Sequence, residues 1–196
     1  MNPRDDRITT ALVWLVLLTM PWWLGAVGGY TELASRVLVL GLAAMALNFL
    51  LGFTGVLSFG HAAYFGLGAY GAAMTLRYLV PSTMLAMLVG TVVATLAAAA
   101  VGALIRKLRG VYFAMVTIAF GQVFYFVAFR WNNVTGGDDG LTGWHRLPID
   151  MGFLKLDIQH DDKVFYYFVL VLFALAVAVL AGLLRSPLGR SLTAIR

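Results

Sequence analysis

The chain has no cysteine in its 196 residues, and only 12% of them are charged. The first absence excludes disulfides, thiolate metal sites and a cysteine nucleophile, though it says nothing of redox compartment. The second is about half the charged fraction of a soluble domain, which runs near 25%. Acidic residues are missing altogether between Glu32 and Asp138. That gap removes the carboxylate that a dinucleotide site needs for a ribose hydroxyl, and those on which most proton or sodium carriers rely at membrane depth. No G-x-x-x-x-G-K-[ST] motif occurs, so any ATP hydrolysis belongs to another chain.

What is present is apolar. Hydrophobic residues make up 61% of the chain, and mean hydropathy is +0.87. No long polar stretch is left over for a soluble domain, so residues 1–196 read as a single transmembrane domain. About 20 apolar residues cross a bilayer as a helix. Ile8–Val27, Leu33–Leu51, Ser82–Ile105, Val111–Phe129 and Val164–Leu184 meet that length, and Val56–Leu76 is a sixth, glycine-weakened candidate. The first is longer than a signal-peptide core, and Trp14, Trp22 and Trp23 suit interfacial anchors, so it reads as a retained helix. The expected fold is all-α and polytopic, with about six transmembrane helices, one of them interrupted.

The net charge of +5 could suit nucleic acid, but the charge positions argue against it. With six crossings and a cytoplasmic N-terminus, the inner side holds eight basic residues against Asp5 and Asp6, a net of +6. Among them are the Arg106-Lys107-Leu108-Arg109 turn and the tail residues Arg185, Arg190 and Arg196. The outer side holds seven acids against six bases, a net of −1. This is the positive-inside arrangement, with both termini cytoplasmic. Reversing the chain, or making Val56–Leu76 re-entrant with the N-terminus kept inside, puts basic clusters outside.

The sixth candidate span is the most informative stretch. GFTGVLSFGHAAYFGLGAYG, residues 52–71, sets repeated glycines and His61 in apolar surroundings. Each glycine weakens a helix by about 1 kcal/mol relative to alanine. Irregular backbone at membrane depth persists only where protein or a water-filled cavity satisfies it, and transporters build pathways at such breaks. Gly66–Gly71 matches G-x-G-x-x-G, but no strand precedes it and no acid follows at the required distance. Small residues four apart, Ala62/Gly66, Gly68/Ala72 and Ala69/Ala73, instead suit close helix packing. His61 fits either a hydrogen bond that fixes packing or a place on the path, with Thr54 and Ser58 beside it and Gly60 in the break. Ser58 and His61 lack a third orienting acid for nucleophilic chemistry, and His145 and His160 fall in the outer loop rather than beside His61, so a metal site is not expected. No catalytic residue, metal ligand or cofactor is expected. Thr117 and Gly121 share a face of the fifth span, beside Gln122, and each polar side chain there either packs or lines a pore.

Residues 130–163 form the one extended polar segment, placed outside. It is rich in turn formers and is expected to lack regular secondary structure, and loops of that length are often functional. Its Thr135, Gly136, Gly137, Asp138 and Asp139 are candidates for docking an external partner, against the plainer role of a solvated cap.

Three blocks resemble the LivM-type permease subunits of bacterial ABC importers for branched-chain amino acids. They are GFTGVLSFGHAAYFGLGAYGAAM at 52–74, LRGVYFAMVTIAFGQVFYFVAFRWNNVTGGDDGLTG at 108–143 and RSPLGRSLTAIR at 185–196. The resemblance implies an inner-membrane permease paired with a second permease subunit. A periplasmic binding protein would supply its substrate and two cytoplasmic ATPase subunits would drive it. It also implies that Arg185, Gly189, Arg190 and Arg196 lead into an ATPase coupling region, and that residues 1–196 are the N-terminal part of a longer permease. Urea or short amides are alternative substrates within the same pattern. The competing classes are a partner-independent channel or ion-coupled carrier, and an intramembrane enzyme using Ser58 and His61.

Overall fold

A computed structural model describes residues 3–142, 147, 149–150, 155–156, 161–187 and 189. Six helices of substantial length account for most of it: α1 (Pro3–Trp23), α2 (Thr31–Thr54), α3 (His61–Met74), α4 (Thr83–Ile105), α5 (Gly110–Arg130) and, after the one-turn α6 (Asn132–Thr135), α7 (Asp162–Arg185). Among the described residues five segments are long and apolar enough to cross a membrane: Ile8–Val27, Thr31–Thr54, Thr83–Ile105, Gly110–Arg130 and Asp162–Arg185. The sixth, expected over Val56–Leu76, starts later. It begins at His61 and runs on through a π-helical turn, Thr75–Leu79, closed by Val80 N–H donating to Thr75 C=O at 3.1 Å. Helix plus turn cover residues 61–79, long enough at about 1.5 Å per residue to approach the apolar thickness of a bilayer.

The helices expose apolar residues on their outer faces, among them Leu12, Leu40, Leu96 and Leu175, and bury little. A helix apolar all round is what lipid, rather than water, accommodates. Packing falls into two groups. In the first, α2 lies along α7, with Ala34 and Leu38 against Tyr166, Val169 and Leu170. The Tyr166 hydroxyl donates to Leu17 C=O at 2.6 Å, which ties α1 to this pair. Beside it, Tyr167 donates to Leu18 C=O and accepts from the Trp22 indole, while the Lys163 ammonium lies 5.2 Å over the Trp22 ring. The end of α1 and the start of α7 are therefore on one side.

In the second group α3 and α4 form a close hairpin. Gly90 faces Gly68 and Ala72, and a Cβ on Gly90 would collide with Gly68 C=O and come within 3.2 Å of the Ala72 Cβ. The small residues at 68 and 72 thus do bring backbones together. Ala62 and Gly66 do not: they face a cavity, and a Cβ on Gly66 would meet nothing. The far end of this hairpin is tied to the segment after α5, with Arg77 donating to Thr142 C=O at 3.3 Å and the Thr83 hydroxyl to Leu147 C=O at 2.9 Å. The turn Arg106–Arg109 lies at the opposite end of α4 and is exposed.

The described parts of the polar segment 130–163 carry more regular structure than its composition implies. It opens with α6, a 3-10 turn at Gly137–Asp139, and a two-residue antiparallel ladder pairing Ile149 with Leu156 and Asp150 with Lys155. Over residues 131–140 the turn formers satisfy their own backbone locally.

Candidate translocation site

Helix α2 ends at Thr54, whose hydroxyl donates back to Leu50 C=O, and Gly55 caps it at φ +67°. That left-handed backbone is what glycine adopts without steric cost. Irregular backbone follows to Gly60, and α5 holds it. The Phe59 N–H donates to the Thr117 hydroxyl at 3.2 Å, and the same hydroxyl donates to Ala114 C=O at 2.8 Å. Thr117 is 2% exposed. It lies seven residues into α5, about 10 Å from the basic turn at 1.5 Å per residue. The break therefore sits at membrane depth, where a free N–H costs several kcal/mol. Gly60 is buried against the Thr117 carbonyl, which a Cβ would strike, and its Cα lies where Gly121 also allows approach.

Beyond this contact α3 and α5 diverge around a cavity of about 590 Å³. Phe59 and Gly60 line it at the break, Gln122 and Phe124 along α5, and Gly137–Gly140 at the opposite end. The capping loop is held by Thr135, whose buried hydroxyl donates to Ala128 and Trp131 carbonyls and accepts the Gly137 N–H. Gly136 adopts φ +79°, and a side chain there would strike the Gly140 carbonyl. The loop is thereby fixed with the exposed Asp138 and Asp139 on the cavity wall.

Of the six residues singled out for a path, Gly60 and Gln122 line the cavity. Thr117 stands behind the break and holds it, whereas Thr54, Ser58 and His61 are outside the lining. Ser58 is buried and His61 is half-buried at the first turn of α3. Of the loop residues, Gly137, Asp138 and Asp139 line the same cavity, which sequence separation had concealed. Thr135 and Gly136 shape their loop. Missed by sequence reading were the apolar walls, Phe59, Leu67, Ile118 and Phe124. The recurrence of Ile118, Gln122, Tyr125 and Phe129 at helical spacing is the signal that could have found one wall. Arg185 is exposed at the end of α7, and Gly189 is packed against Leu183 and Leu184 carbonyls. Arg190 and Arg196 lie outside the described residues, as do His145 and His160. Among the described residues no group of three His, Cys, Asp or Glu side chains converges as a metal site.

Irregular backbone that borders a cavity inside a polytopic helical frame fits the class of membrane transport permeases. Residues 29–196 match the family model described as branched-chain amino acid transport system, permease component, and the chain belongs to that family. It is 28% identical over 205 aligned positions to the high-affinity branched-chain amino acid transport system permease protein LivM of Escherichia coli K12. It is 26% identical to the protein of the same name from Salmonella typhimurium LT2. Each alignment covers 94% of this chain and 48% of the relative, so the chain spans about half the length of these proteins. No solved structure matches it.

Proposed function

We propose that the chain is a permease subunit of an ATP-driven importer for branched-chain or similar apolar amino acids, and that the α3/α5 cavity lies on its translocation path. The observation that carries this reading is the continuity of one cavity from the break at Gly60, past Gln122, to Asp139 in the capping loop. Its predominantly apolar lining suits an aliphatic side chain, and the relatives' names give branched-chain amino acids as the solute. The capping loop faces the outer side, where a binding protein would deliver solute. Arg106, Lys107, Arg109 and Arg185 face the cytosol, where ATPase subunits would dock, in keeping with the positive-inside tendency. A second permease subunit completes the assembly. Binding of these partners drives transport only if it favours one facing state over the other.

The test is uptake of labelled leucine into vesicles that carry the chain with its permease partner, ATPases and binding protein. Uptake that requires ATP and stops with hydrolysis-dead ATPases supports the reading. Uptake by the chain alone, or uptake that persists with those dead subunits, contradicts it.

A further inference from the structure

Gln122 is the amide in an otherwise aromatic and aliphatic stripe of α5. Ile118, Gln122, Tyr125 and Phe129 recur at three- and four-residue spacing and all four line the cavity. Counting along the helix puts Gln122 about 12 Å from Arg130 and about 18 Å from the basic turn, well inside the apolar layer. The threonines beside the site are committed to backbone, Thr117 to Phe59 and Ala114 and Thr54 to Leu50, so the polar side chains of the α3 and α5 walls are Gln122 and the hydroxyls of Tyr70 and Tyr125, and Gln122 alone among them carries an amide. No described residue hydrogen-bonds the Gln122 amide, and its side chain is exposed. An amide at membrane depth ordinarily finds a partner, because leaving it dry is costly.

We infer that Gln122 is the specificity-determining side chain of the cavity: its amide hydrogen-bonds the polar head of the passing solute while Phe59, Leu67, Ile118 and Phe124 take the apolar tail. This rests on the transport reading above and narrows it to solutes with a net-neutral head that both donates and accepts hydrogen bonds. A side-chain amide offers two N–H donors and one carbonyl acceptor without charge. It therefore satisfies a zwitterion's carboxylate and ammonium in turn, with no ion pair strong enough to hold the solute in place. A glutamate at this position would add a negative charge at membrane depth and favour cationic heads over neutral ones.

The experiment uses the cysteine-free background of the chain. Gln122→Cys and, on the opposite wall, Ala63→Cys each place a single thiol in the cavity of the assembled transporter. Reaction with a small thiol reagent is timed with and without leucine delivered by its binding protein. Leucine is expected to slow both reactions severalfold, and Gln122→Leu is expected to lower leucine uptake about tenfold or more, with partial recovery in Gln122→Asn. Protection of Ala63→Cys alone, with undiminished uptake by Gln122→Leu, would overturn the role of Gln122 and leave the path standing. Protection at neither position would remove the cavity from the path, and both proposals with it. Where Gln122→Leu does not assemble, the Gln122→Cys reaction decides.

Discussion

The Thr117 hydroxyl accepts the N–H of Phe59 at 3.2 Å across 58 residues of sequence and itself donates a hydrogen bond to Ala114 C=O. One side chain on α5 thus takes up one of the backbone N–H groups that the break before α3 leaves without an intrahelical partner. Thr117→Val keeps the shape and removes the acceptor. Such a loss costs about 1–3 kcal/mol for a buried donor left unpaired. Lower thermal stability and reduced uptake are expected, with Thr117→Ser close to wild type. Equal stability of the valine and serine variants in a detergent melt would show that the bond contributes nothing.

Gly60 leaves no room for a side chain beside the Thr117 carbonyl. Gly60→Ala must therefore push the break away from α5 and alter the neck of the cavity. Uptake is expected to fall at least about tenfold, since displacements near 1 Å in a site commonly cost more than that. Normal uptake by this variant would mean that the break is not part of the path.

Gly90 sets the α3/α4 spacing, with a would-be Cβ in collision with Gly68 C=O. Gly90→Leu is expected to destabilise the hairpin by about 1–3 kcal/mol through overpacking. Yield of folded protein in membranes should drop, and Gly66→Ala, where space is open, should be tolerated as a structural change.

Tyr166 donates to Leu17 C=O at 2.6 Å from a fully buried ring. Tyr166→Phe keeps the ring and is expected to cost about 1 kcal/mol. Because this contact is remote from the cavity, stability should fall while leucine uptake per folded transporter stays unchanged.

Much of the frame was legible from apolar run length alone, because a bilayer dictates about 20 residues per crossing and tolerates few exceptions. The break was legible in kind but not in place. Glycine density marked residues 52–71, yet the helix resumes at His61, since Ala62–Met74 find α4 and α5 to pack against. Propensity does not report such tertiary support. The order within residues 130–163 was hidden for a related reason: local hydrogen bonds from Thr135 and left-handed glycines build it without an apolar pattern. That Asp139 and Gly60 share one cavity was beyond sequence reading, because the link is the separation between α3 and α5 and no motif encodes it.

The most direct measurement places a single cysteine at Ala128, on the cavity wall between Gln122 and the capping loop, and another at Leu175, which is 60% exposed on the outer face of α7. Each is modified to completion with a bulky thiol reagent before leucine uptake is timed in the assembled transporter. Loss of uptake at position 128, with full uptake at position 175, is the result predicted. Full uptake after complete modification at position 128 would contradict a path through this cavity.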